Sequence, residues 1–359
     1  IIVCKFYPIR HDGIILKCIL NEIMTKKKRR ILVIRCGRLG DTAISSVILD
    51  PLRHIFKNAE IDWVTKTEVA GIFSCESDIN PIRFNHTTIP LLIDINKIRI
   101  IVKSLFNPYD AIFNLEVSKK YDNLVRFTRA FKKFGRPYHH IPDERTEHRA
   151  KHQMRIIKKC SSNYPEEIAI PKIKCKPLKA LSGIFDIRKE FLVISPSTSK
   201  FGKKNHRGYR NWTFENWKIL IGFLIDKTDF NIVITGTKEE YNNFKDLHTK
   251  NERVMNLAGK LSLTEYATAM KFAKYVIGVD SASVHVASAV GSEKIIALYG
   301  PTYIESSKPY ETRPNQVYIL SKNLPCSPCY ATSVIENCND NICMKKIMPS
   351  DVMNIINTG

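Results

Sequence analysis

No run in this 359-residue chain reaches the roughly 18 uncharged apolar residues that a membrane-spanning helix needs, so no such helix is expected. No secretory signal opens the chain, and its ten cysteines are spread unevenly instead of forming a framework. Both features point to a reducing compartment, the cytoplasm. No Gly-x-Gly-x-x-Gly follows a predicted strand, which argues against a nicotinamide dehydrogenase. Acidic residues are few: 35 Asp and Glu stand against 56 Lys and Arg, a net charge of +21, so the expected partners are anionic. Nucleic acid would qualify, but no stacking aromatics interleave with the basic run and no known module is present. A nucleic-acid partner is therefore not expected, and steep salt dependence of DNA binding would revive it.

Short β-branched runs alternate with longer helical ones from residue 31 onward. ILVIR (31–35), EIDWVT (60–65) and YDAIFNLE (109–116) read as strands of a first series. A helix with a proline in its path follows the first strand, another lies around 94–106, and basic helical segments run from Ser118 to about Cys160. FLVISPS (191–197), FNIVITGT (230–237), YVIGVDS (275–281) and KIIALYG (294–300) are strands of a second series. NWTFENWKILIGFLIDKT, KEEYNNFKDLHTK and LTEYATAMKFA are read as its helices, the last opened by a capping box of Ser262 and Glu265. The expectation is α/β: two Rossmann-like parallel-sheet domains, each with its own core, facing across a cleft. A basic extension covers 1–30, with Ile14, Ile15, Ile19 and Ile23 as an apolar side suited to an anionic membrane surface. The first domain covers 31–170, a proline-bearing linker 171–190 and the second domain 191–359.

Ligands of open α/β sheets bind at the carboxyl ends of strands. Five loops qualify here: Gly37 to Asp41, Ser195 to Thr198, Gly236 to Glu240, Asp280 to His285 and Gly300 to Thr302. The first, RCGRLGD, carries an aspartate where a helix should begin. That carboxylate would repel a phosphate, so the loop serves something other than a dinucleotide.

These stretches resemble glycosyltransferase family 9, the lipopolysaccharide heptosyltransferases. The resemblance rests on ILVIRCGRLGDTAISSVILDPLRHIFKNAEIDWVT, NWTFENWKIL, LAGKLSLTEYATAMKFAKYVIGVDSASVHVASAVG, IIALYGPT and CSPCY, in family order. It implies the GT-B fold, with an acceptor domain first and a nucleotide-sugar donor domain second. It also implies an inverting transfer of heptose from ADP-heptose to a lipopolysaccharide core or related envelope glycolipid. Asp41 matches the family's general base, with Gly40 beside it letting the acceptor approach. Asp280, Ser281 and Ala282 match the donor loop, although the family usually has glycine at Ala282. His285 lies one turn on. Arg210, in GYRNW, stands where the family often has lysine and would offset charge on the leaving diphosphate; Lys203, Lys204 and Arg207 compete for that part. Ser197 and Thr198 match a phosphate-contacting loop, and Glu239 or Glu240 the ribose-binding glutamate. Gly300 and Thr302 match a donor-side loop, with Tyr303 replacing a frequent aspartate.

No Asp-x-Asp occurs, so no cofactor or metal is expected to be required for catalysis. Cys326, Cys329, Cys338 and Cys343 have spacings that suit a structural zinc site, with reduced thiols as the alternative. Arg145 and Arg149, in a basic stretch of the first half, are expected to attract an anionic glycolipid acceptor. The site of action is then the cytoplasmic side of the inner membrane, peripherally, and the protein is expected to be a monomer. The departures at Ala282 and Tyr303 leave another nucleotide sugar open.

Overall fold

The computed structural model describes residues 28–84, 94–139, 147–198, 208–247, 251–330 and 332–358. The lipid-surface expectation for Ile14 to Ile23 lies outside these residues, as do those for Arg145, Lys203, Lys204 and Arg207.

Two all-parallel sheets follow one another in the chain. The first contains β1 (Arg30–Ile34), β2 (Glu60–Lys66), β3 (Ile79–Phe84), β4 (Tyr109–Asn114) and β5 (Ala130–Gly135), in the order β3-β2-β1-β4-β5. The second contains β6 (Phe191–Ser195), β7 (Asn231–Ile234), β8 (Val254–Asn256), β9 (Tyr275–Val279), β10 (Lys294–Tyr299) and β11 (Val317–Ser321), in the order β11-β10-β9-β6-β7-β8. β1 is central and its residues Ile31 to Ile34 are fully buried, which is why they form an unbroken apolar run instead of alternating with polar residues.

The helices needed below are α1 (Leu39–Ser45), α2 (Leu49–Ile55), α3 (Ile95–Phe106), α4 (Asp122–Phe127), α5 (Arg149–Cys160), α6 (Phe214–Lys227), α7 (Leu263–Phe272) and α8 (Ala282–Val290). Asp94 caps α3 by accepting from the Asn96 and Lys97 amides, and Thr213 caps α6 by accepting from Asn216. The capping box of Ser262 and Glu265 opens α7 as the sequence indicates.

Three readings of the sequence need correction. The expected helix after β1 is interrupted by a 3-10 turn at Ser46–Ile48, which places Pro51 in the first turn of α2, where an amide would lack an intrahelical partner anyway. KEEYNNFKDLHTK gives the 3-10 stretches Lys238–Glu240 and Asn242–Leu247, not an α-helix, in keeping with the poor helix propensity of its paired asparagines. The basic region after Ser118 contains the edge strand β5 as well as helices.

The cores are also less separate than expected. One apolar cluster joins Ile31, Val33 and Trp63 of the first sheet to Val193, Val276 and Ile295 of the second, through Ala43 and Val47 on one side and Val284 and Ala287 on the other. Smaller clusters cover the remaining faces. The connecting segment is bonded to both halves: Lys172 N–H donates to Ser46 Oγ at 2.9 Å and Ile173 N–H to the Ala289 carbonyl at 2.9 Å.

Candidate active site

Strand order reverses beside the first strand of each sheet, between β1 and β4 and between β6 and β9. Those are the switch points where a crevice opens at the carboxyl ends of strands. The loop after β1 leads into α1, and the loop after β9 leads into α8. These two short helices meet closely: a Cβ added to Gly40 would lie 3.1 Å from Ala282 Cα and 3.2 Å from His285 Cδ2. Gly40 and Ala282, placed on opposite sides by the sequence, are thus neighbours, and the small side at each position is what lets the helices touch.

Asp41 stands in the first turn of α1, and its Oδ2 accepts the Arg38 backbone N–H at 3.1 Å. Two guanidinium groups face its other oxygen, Arg35 at 3.3 Å and Arg149 at 3.5 Å. Burial alone would raise the Asp41 carboxyl. Arg35, then Arg149, the Arg38 amide and His285 outweigh that burial and hold it below the ordinary carboxylate value. The group is therefore ionised at neutral pH and accepts hydrogen bonds only.

Sequence reasoning missed the support behind this pair. Glu116, just past β4, accepts the Cys36 backbone N–H at 2.7 Å and lies 3.7 Å from Arg35. Its signal was available, because it too follows a strand at a switch point.

Across the crevice, Arg210 Nη1 lies 3.3 Å from Asp280 Oδ2, with the aspartate almost wholly buried. The Arg210 guanidinium also sits 5.3 Å from the Tyr330 ring centroid. Two residues proposed for separate parts are thus one ion pair. Ser281 precedes α8 without capping it, since its hydroxyl is 2.8 Å from Ser283 Oγ. The first amides of α8 accordingly have no side-chain cap and offer a seat for an anion.

Burial, only partly offset by the nearby Asp280, pushes the His285 imidazole down to about 4, with Arg149 and His148 adding to the fall and Asp41 opposing it. This histidine therefore lies within electrostatic reach of both acidic residues. His148, before α5, accepts the Ala150 N–H on Nδ1 at 3.1 Å, which leaves Nε2–H to donate to the Lys308 carbonyl at 2.9 Å.

Glu240 is buried and accepts from the Thr237 amide at 2.7 Å and from Ser197 Oγ at 2.5 Å, while Glu239 is exposed on the same turn. Thr198 N–H donates to Asn211 Oδ1 at 3.1 Å. Gly300 is shaped by packing, since a Cβ there would meet Met344 Sδ at 2.6 Å and Cys343 Sγ at 2.9 Å. Four buried side-chain atoms on these loops lack a hydrogen-bond partner among the described residues: Thr198 Oγ1, Asn211 Nδ2, His285 Nδ1 and Thr302 Oγ1. A buried unpaired polar atom costs about 1–3 kcal/mol, a cost that a polar ligand seated against these four atoms would offset.

The structure does not show the expected zinc site. Among the described residues, no three His, Cys, Asp or Glu side chains are placed to hold one metal ion. Cys326 is exposed, Cys343 is buried under Gly300, and the Cys338 thiol turns to the Asp340 carbonyl at 3.3 Å.

Two parallel-sheet α/β domains meet at this crevice, the GT-B architecture that the sequence resemblance implies. The family model for glycosyltransferase family 9 (heptosyltransferase) matches residues 99–339, more than half of the chain, and the chain belongs to that family. It is a glycosyltransferase.

Lipopolysaccharide heptosyltransferase 1 of Salmonella typhimurium is 24% identical over 293 residues, covering 76% of this chain and 89% of that protein. The structure of a family 9 glycosyl transferase from Veillonella parvula superposes with a TM-score of 0.75 at 17% identity, covering 92% of this chain and 96% of that one. The E. coli heptosyltransferase WaaC with ADP superposes with a TM-score of 0.66 at 19% identity, covering 92% and 99%.

Proposed function

We propose that the protein transfers heptose from ADP-heptose, with inversion, to a lipopolysaccharide core or related envelope glycolipid at the cytoplasmic side of the inner membrane. Asp41 takes the proton of an acceptor hydroxyl as its oxygen attacks the anomeric carbon, and the bond from that carbon to the diphosphate breaks. The nucleoside diphosphate leaves with the electron pair. Arg210 and the start of α8 stabilise the charge that grows on it. The Gly236 to Glu240 turn holds the ribose, and Thr198, Asn211 and Thr302 supply polar contacts to the donor. Arg145 and Arg149 receive the anionic acceptor.

The single observation that carries this reading is the placement of Asp41, ionised between Arg35 and Arg149, opposite the loops with four unpaired buried polar atoms. Asp41→Asn should leave ADP binding nearly intact in calorimetry while lowering kcat by about two to four orders of magnitude, the span of a general base. Undiminished turnover would reject that role. Titration with UDP and GDP alongside ADP tests the donor, because Ala282 fills space on Gly40 that glycine would leave open. Selective UDP or GDP binding would keep the transferase and change the sugar.

A further inference from the structure

The inner face of α3 carries Lys97, Ile100 and Ser104, whereas Ile95, Ile98, Val102, Leu105 and Phe106 are exposed. Advancing about 100° per residue, those five exposed residues fall on one stripe. The exposure is large, 87% for Phe106 and 79% for Ile95. Arg99 and Lys103 border the stripe along one side, and α3 contains no acidic residue.

A second apolar group adjoins the end of this helix. Arg129 ties the two together: its N–H donates to Ser104 Oγ at 2.8 Å and its guanidinium to the Leu105 carbonyl at 3.1 Å. Phe127 and Phe131 flank it, and Phe131 is 76% exposed. Lys133 lies two residues on from Phe131, hence on the same face of β5, and donates to the Arg126 carbonyl at the end of α4 at 2.9 Å. The acid of α4, Asp122, is held by Arg136 at 3.0 Å.

We propose that this face docks the protein on an anionic phospholipid surface, with the stripe entering the boundary between headgroups and acyl chains and the cations meeting lipid phosphates. An exposed apolar stripe rimmed by cations needs a partner that is both apolar and anionic. A second copy of this chain would bring the same cations and a further charge of +21, so it would be repelled. α3 starts beyond the carboxyl end of β3, at the end of the sheet where the crevice opens, so the stripe begins on the side from which a lipid-borne acceptor arrives. This deepens the membrane-surface part of the proposed function. Its test reads binding and not transfer, so each can fail without the other.

The full-length protein is floated with vesicles of mixed phosphatidylglycerol and phosphatidylethanolamine, and separately with phosphatidylcholine alone. Two variants are compared with the parent, a triple Val102→Ser, Phe106→Ser, Phe131→Ser and a double Arg99→Gln, Lys103→Gln. Each should lose about tenfold or more of its partitioning onto anionic vesicles with an unchanged thermal melt, because every altered side chain is exposed. In Phe106→Trp, tryptophan emission should shift to the blue with anionic vesicles. Undiminished binding by the serine variant, unshifted emission, or no binding by the parent protein would overturn the proposal. So would a dimer in sedimentation that the serine variant abolishes, which would give the face to a second copy.

Discussion

Burial holds the His285 imidazole near 4, so at neutral pH it carries no charge, although Asp280 and Asp41 lie close enough to favour one. The linkage has a definite sign. An unfolded imidazole takes a proton as pH falls through about 6.5, and the folded one does so only near 4. Between those values the unfolded chain binds more protons, so stability falls as pH falls, by about 3 kcal/mol over the whole window. His148 is shifted in the same direction, first by burial, and steepens the loss. The denaturant midpoint should therefore drop between pH 7 and pH 4.5, and His285→Gln should flatten most of that slope. Equal slopes in the two proteins would show that another group carries the proton.

At the scale of elements, activity depends on how closely α1 and α8 approach. A side chain at Gly40 would press on the Ala282 backbone, which cannot swing aside as a flexible side chain would. Gly40→Val should cost about 1–3 kcal/mol in denaturant unfolding, as overpacking does. It should also lower kcat more than it weakens ADP binding, because it separates Asp41 from the proposed donor loop. A variant with normal kcat would mean that the helices part during turnover.

The same scale explains what the sequence revealed. Central strands such as β1, β6 and β9 are buried on both sides and read as plain apolar runs. β3, β5 and β11 lie at sheet edges, where INPIRF and AFKKFG mix exposed polar residues with the apolar ones, and β8 has only three residues. Their pattern is therefore too faint to separate from loop or helix. Among the candidate site residues, Asp41, Asp280 and His285 follow β1 and β9 closely and so stand out at strand ends, whereas Arg210 lies well past β6 and stands out only through the resemblance of GYRNW. The pairing of Arg210 with Asp280 was not legible, since 70 residues of chain separate them and only the sheet order brings them together.

For the molecule as a whole, composition gives the +21 charge but not its direction. Near the crevice the cations are largely engaged: Arg35 and Arg149 with Asp41, Arg210 with Asp280. Arg149 is half exposed, however, so an anionic acceptor approaching Asp41 meets a guanidinium that can serve both carboxylate and ligand. Attraction of that kind is screened by salt, with a Debye length falling from about 10 Å at 0.1 M to about 3 Å at 1 M. Raising ionic strength should therefore increase KM for a lipid-free, phosphate-bearing acceptor fragment several-fold while moving the KM for the sugar nucleotide less, because the proposed donor seat around Arg210 and Asp280 is more buried than Arg149 and is screened less. The lipid-free fragment matters, since with vesicles salt would also act on docking through α3. Arg149→Gln should reduce the salt response of the acceptor KM. An equal rise in both KM values, unaffected by that substitution, would place the useful charge on the donor side of the crevice.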